Sequence, residues 1–126
     1  MQNAENAVVN SNIPIAFDTW SGGRDLIANS ETWHLVLYAD NVFSLNSAVE
    51  FDSWVTGGFN YLKIYSVEDL RQVGESQRSI GLWDENKVVL RSSKGVFNLK
   101  EDFVEITGLQ LEGDLSSGDK SLVQLE

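Results

Sequence analysis

The sequence contains no cysteine. Disulfides, thiolate nucleophiles and thiolate metal sites are therefore excluded, and the redox compartment stays open. His34 is the single histidine. Any Ser-His-Asp arrangement would have to use it, and no nucleophile-elbow motif accompanies it. Pro14, the single proline, argues against an early helix. No run of about 18 apolar residues is present, so no segment reads as a membrane-spanning helix. Basic residues are few, with 9 Lys and Arg against 19 Asp and Glu and a formal net charge of −10. No basic stripe is available to neutralise phosphates, so neither nucleic acid nor an anionic membrane surface is an expected partner. Acidity of this kind reads first as solubility. Residues 1–7 lack the basic start and apolar core of a signal peptide.

Short alternating apolar segments are plentiful. From Glu31 the period is two, with Trp33, Leu35 and Leu37 alternating with His34, Val36 and Tyr38. Val49 and Phe51 make a shorter piece. In the next strand Leu62 and Ile64 point one way, and Tyr61, Lys63 and Tyr65 the other. Strands return at residues 87–91, 96–99, 103–106, 109–111 and 122–125. Thr107-Gly108 separates two of them. A break of only two residues turns a corner, as between rungs of a parallel β-coil. Val104, Ile106, Leu109 and Leu111 are expected to point into one core across it.

Residues 1–12 read as a flexible arm and residues 13–126 as a single domain. A short capping helix is expected over residues 18–29, with Asp18 as N-cap, Trp20, Leu26 and Ile27 as its apolar face and Asn29 closing it. Gly22-Gly23 weakens that helix by about 1 kcal/mol per glycine relative to alanine. Residues 66–81 read as a polar, mobile surface excursion with a helical turn at Val67-Glu68-Asp69-Leu70. Ser116-Ser117-Gly118-Asp119 reads as a loop.

Few residues point to chemistry. His34 sits in an apolar strand without a motif partner and reads as a packed or surface histidine. Asp40, Asp52, Asp84, Glu85, Glu101, Asp102, Asp114 and Asp119 follow neither EF-hand nor glycine-aspartate repeat spacing, so they read as solvated loop charges. Arg71, Arg78 and Arg91 are scattered. Gly22-Gly23 and Gly57-Gly58 lack the lysine and the strand-to-helix setting of a phosphate loop. No catalytic residue, metal or cofactor is assigned. Exposed tryptophans can stack on sugar rings. Trp20 and Trp33 fall in apolar patterns and read as core. Trp54 and Trp83 fall near loops and are the ligand-binding candidates, set against a plain role in closing the coil.

The order Trp20, Asp25-Leu26-Ile27, Glu31-Thr32-Trp33-His34-Leu35, Tyr38-Ala39-Asp40, Trp54, Tyr61-Leu62-Lys63-Ile64-Tyr65 and Asp102 through Leu111 resembles the beginning of right-handed parallel β-helix proteins. These are pectate-lyase-like proteins of bacteria and phages. The resemblance covers residues 17–113. It implies an all-β fold, a short right-handed parallel β-helix with an N-terminal capping helix. An antiparallel β-sandwich is the alternative from strand length alone. Family members run on for many more rungs than this sequence supplies. The resemblance therefore implies either an excised N-terminal piece of such a protein, or an open last rung covered by a partner chain or by the chain's own termini. The functions it implies are a non-enzymatic binding or assembly module, carbohydrate-recognising in one form, or a polysaccharide lyase or hydrolase. A small self-associating protein is the third reading, with a homo-oligomer formed through the C-terminal third.

Overall fold

A computed structural model of the chain describes residues 23–113 and 121–126. The expected arm, Asp18, Trp20 and the loop at residues 116–119 lie outside the described residues, as do Asp114 and Asp119.

Among the described residues the period of two becomes nine short strands. They are β1 (Trp33–Leu37), β2 (Phe43–Leu45), β3 (Val49–Phe51), β4 (Leu62–Ser66), β5 (Val89–Ser92), β6 (Phe97–Leu99), β7 (Val104–Thr107), β8 (Gln110–Gly113) and β9 (Val123–Leu125). Three sheets of three strands form, in the orders β1-β4-β7, β2-β5-β8 and β3-β6-β9. The chain thus visits the three sheets in the same sequence three times. Each passage through all three is called a circuit below. All six strand pairings are parallel. The antiparallel sandwich requires sequence neighbours to pair with each other, and none of these strands does so.

Register stacks like residues into columns. Leu35, Ile64 and Ile106 align across the first sheet. Phe43, Leu90 and Leu111 align across the second, and Val49, Phe97 and Val123 across the third. A one-residue slip would turn each column from core to solvent, so burial fixes the register. The middle circuit is sealed. Leu62, Ile64, Val88, Leu90, Val96, Phe97 and Leu99 are all buried in it. Val104, Ile106, Leu109, Leu111, Leu122 and Val123 of the last circuit pack on that core but stay partly exposed. The four residues on either side of Thr107-Gly108 therefore face one core, as their alternation predicts.

Three expectations need correction. First, residues 23–30 form a turn and not the end of a helix. Asp25 bridges Val55 in parallel and caps the turn itself, its Oδ1 accepting the Ala28 N–H at 2.7 Å. Leu26 is fully buried while Ile27 is exposed, so the two do not share a core face. Gly23 is the reason. It has φ +82°, and a Cβ there would sit 2.4 Å from the Ser53 carbonyl oxygen. The chain passes too close to its neighbour for any side chain, in a conformation that does not propagate a helix. Burial of Leu26 still contributes roughly 1.5–3 kcal/mol.

Second, β2 was not expected. It is three residues long with a serine at its centre, and alternation over three residues carries little signal. Third, the helical turn of the excursion lies at Leu70–Val73, capped by Asp69, whose side chain accepts the Arg71 N–H. It begins three residues later than expected because Val67 is buried and its N–H bonds to the Leu37 carbonyl, extending the sheet.

Candidate functional site

The outward positions of the first sheet carry the chemistry. Register places His34, Lys63 and Glu105 side by side, and Val36, Tyr65 and Thr107 beside them. The segment between β4 and β5 adds Glu68 and Arg78. Together His34, Lys63, Tyr65, Glu68, Arg78, Glu105 and Thr107 line a groove of about 350 Å³. That volume lies at the small end of ligand clefts.

The groove is internally paired. Lys63 Nζ lies 3.0 Å from Glu105 Oε1, and Arg78 Nη1 donates to Glu68 Oε1 at 2.5 Å. His34 Nδ1 lies 3.4 Å from Tyr65 Oη, and their rings meet edge to face at 5.7 Å. The Lys63 ammonium sits 5.5 Å from the Tyr65 ring centroid, within cation–π range. The hydrogen bond to Glu105 holds the Lys63 ammonium above its ordinary pKa against partial desolvation. Two cations face two carboxylates, so the groove carries no formal charge with His34 neutral.

The excursion is pinned where it forms the groove wall. Gln77 N–H bonds to the Val67 carbonyl and Val88 N–H to the Gln77 carbonyl. The Gln77 side chain accepts the Ala39 N–H at 2.6 Å. Ser79 N–H and Ser66 Oγ both donate to the Gly108 carbonyl. Gln110 and Asp84 exchange two hydrogen bonds, at 2.8 and 2.6 Å. Asp84 is held below its ordinary pKa chiefly by the Asn86 backbone N–H. Gly108, with φ +71°, makes this packing fit: a Cβ there would lie 2.6 Å from Ser66 Oγ and 2.7 Å from Arg78 Cγ. Arg78 is thus placed by backbone contacts on both sides. The tip of the excursion projects outward, with Ile80, Leu82 and Trp83 exposed around Gly81.

The two tryptophan candidates part company. Trp83 is 52% exposed on that tip. Trp54 is 5% exposed and meets Trp33 edge-on at 5.0 Å, so it offers no open face for a sugar ring. Its backbone N–H is held by the Glu101 carboxylate at 2.8 Å. Burial raises the Glu101 pKa, the Trp54 hydrogen bond opposes this, and Asp52 and Asp102 add to it. His34 is exposed at the surface, as one of its two expected readings has it. Arg71 and Arg91 lie outside the groove, and of the scattered arginines only Arg78 joins it. Among the described residues no three His, Asp or Glu side chains converge as a metal site. Among the same residues no helix is long and apolar enough to cross a membrane.

A charge pattern runs along the whole stack. Lys63 pairs with Glu105 in the first sheet and Arg91 with Glu112, at 2.5 Å, in the second. In the third, Lys100 lies between Asp52 at 3.4 Å and Glu126 at 3.9 Å, and also contacts Glu50. Glu50 is the main cause of the raised Lys100 pKa. A cation of the middle circuit thus meets a carboxylate of the last circuit on all three sides. The second-sheet concavity, about 320 Å³, holds one such pair among Ser44, Ser92 and Ser93 and has no aromatic lining. The first-sheet groove is the richer site.

Sequence reading missed this groove because its parts are far apart in the chain. His34 and Tyr65 are separated by 31 residues and Arg78 enters from a connection between strands. The available signal was the outward set in each strand, His34 with Val36 and Lys63 with Tyr65, once strands are stacked. No protein family, curated protein or solved structure matches this chain.

Proposed function

We propose that the chain is a right-handed parallel β-helix and works as a non-enzymatic module that recognises carbohydrate through the groove over β1-β4-β7. Cyclic visits to three parallel sheets support the coil, and parallel crossovers within a sheet are right-handed in about 98% of cases. The resemblance to pectate-lyase-like proteins points the same way. The observation that carries the binding role is the groove's paired lining. Sugars present hydroxyl groups that both donate and accept, together with apolar ring faces. Lys63, Arg78, Glu68 and Glu105 offer both kinds of hydrogen-bonding group, pre-oriented by pairing, beside the rings of Tyr65 and His34. Each carboxylate is engaged by a cation rather than set against the other, which suits binding better than acid–base cleavage.

The test is a panel of immobilised neutral and acidic polysaccharides probed with the wild-type chain and with Tyr65→Ala, alongside a reducing-end assay on the same panel. Retention of at least one glycan, weakened about tenfold or more by Tyr65→Ala and without new reducing ends, is the expected result. Release of reducing ends would establish an enzyme instead. Retention of none would remove carbohydrate as the ligand.

A further inference from the structure

We infer that the groove selects uncharged glycan chains over chains bearing uronate or sulfate, and that Glu68 and Glu105 set this selectivity by occupying Arg78 and Lys63. The inference rests on the carbohydrate reading above and narrows it to a substrate class.

The groove's two cations are both spoken for. Lys63 and Glu105 have side chains 29% and 41% exposed, and Arg78 and Glu68 45% and 49% exposed. Both pairs are reachable from solvent, and both are closed. An anionic sugar must therefore displace a carboxylate already in contact, or bind as a second anion beside it. Either route meets like-charge repulsion from Glu68 or Glu105 at contact distance. The chain's formal charge of −10 adds a repulsive background at low ionic strength. An uncharged chain meets none of this. It uses the donors and acceptors that each pair leaves over, since a guanidinium carries five N–H groups and a carboxylate accepts through both oxygens. Specificity of this kind is built by penalising the competitor rather than by adding contacts to the preferred ligand.

Each carboxylate is joined to the cation it masks, so its removal predicts a gain and not only a loss. Glu68→Gln with Glu105→Gln keeps shape and one acceptor oxygen at each position while removing the negative charge that masks Arg78 and Lys63. The double variant should gain retention on uronate- and sulfate-bearing polysaccharides, by about tenfold or more. That gained binding should weaken as salt is raised, because it is carried by exposed charges. Retention of neutral chains should fall in the same variants, because the pairing that orients Lys63 and Arg78 is weakened, so the two classes of chain move in opposite directions. Each single variant should show part of the same gain, so one well-folded variant is sufficient, with far-UV circular dichroism as the check on folding.

The experiment compares wild type and the variants on paired neutral and acidic polysaccharides of matched length, at low and high salt. Wild type binding neutral chains at least about tenfold more tightly, with an acidic gain in the variants, is the expected outcome. Equal or tighter wild-type binding of the acidic chains overturns this inference and leaves the carbohydrate reading standing. Neutral selectivity in wild type with no acidic gain in any variant also overturns it, by removing Glu68 and Glu105 as the cause. Retention of no glycan by wild type overturns both.

Discussion

The middle and last circuits of this parallel-sheet fold are built from the same kinds of residue and end in different environments. Ile64 and Ile106 occupy one column, yet Ile64 is 1% exposed while Ile106 stays partly open. Leu99 and Leu125 share another, and Leu125 is 75% exposed. The middle strands are paired on both edges, whereas β7, β8 and β9 each have a single strand neighbour among the described residues. Alternation therefore sets which way a side chain points. How deeply it is buried depends on whether another circuit lies above it.

The sharpest way to break this comparison is to truncate one column at two heights. Ile64→Ala should cost about 2–5 kcal/mol, the range for emptying a buried isoleucine site. Ile106→Ala should cost clearly less, because solvent and neighbouring side chains can fill a site that is already partly open. Denaturant unfolding measures both, and equal costs would mean that the last circuit is as sealed as the middle one. Gly108→Ala comes next. It adds a Cβ at positive φ against Ser66 and Arg78, so a destabilisation of about 1–3 kcal/mol is expected, with Arg78 pushed from the groove wall. A neutral effect would show that the excursion yields easily where it meets the last circuit.

Hydrogen exchange sharpens the contrast within that excursion. The N–H groups of Gln77, Ser79 and Val88, bonded to the Val67, Gly108 and Gln77 carbonyls, should exchange slowly. Those of Ile80, Leu82 and Trp83 at the tip should exchange quickly. Uniform exchange through the segment would contradict the pinned wall.

Glu101 gives a signed pH dependence at the entry to the last circuit. Its folded pKa is raised, so the folded state holds the proton more tightly than the unfolded one. Its penalty is absent below the ordinary carboxylate range, grows as pH rises through the raised folded value, and persists above it. Glu101→Gln keeps an acceptor for the Trp54 N–H. It should therefore stabilise the chain at neutral pH relative to wild type and lose that advantage on acidification. Unfolding curves at several pH values check this, and an advantage growing toward acid would reverse the sign. The smallest effect is expected from Glu112→Gln, which removes one exposed link between the circuits. About 0–1 kcal/mol is the range for such a pair.

Much of the strand pattern was legible in the sequence, and the reasons are local. Residues 61–65 and 103–111 alternate strongly enough to show strand, facing and corner. β2 was not legible because three residues with Ser44 at the centre carry too little periodicity. The turn at residues 23–30 was misread as helix because Leu26 and Ile27 look like an apolar face and Asn29 like a helix end, while the close approach of Gly23 to Ser53 is a tertiary fact. Trp54 was rightly placed near a loop, but only the fold brings it against Trp33. The groove was hidden because it depends on which strands stack. Stacked ion-pair partners fall at irregular intervals, 21 residues for Arg91 and Glu112 and 48 for Asp52 and Lys100. Connections of unequal length erase any fixed period, so no repeat search could find the columns.

The carboxylates of the last circuit have a consequence for how copies meet. Parallel strands with one open edge are templates for end-on growth, and a head-to-tail contact that does not close builds a filament without limit. Here Glu105, Glu112 and Glu126 lie on the last of the described circuits, one beside each sheet. A second copy stacking on β7, β8 and β9 would meet these three carboxylates, each already in contact with a cation of the middle circuit. The same groups that tie the last circuit down to Lys63, Arg91 and Lys100 are expected to oppose such stacking, as a brake on it. Because such a brake is screened beyond about 8 Å at physiological salt, self-association should rise with ionic strength in sedimentation experiments. Glu105→Gln with Glu112→Gln should release it at low salt, so that association no longer waits on screening.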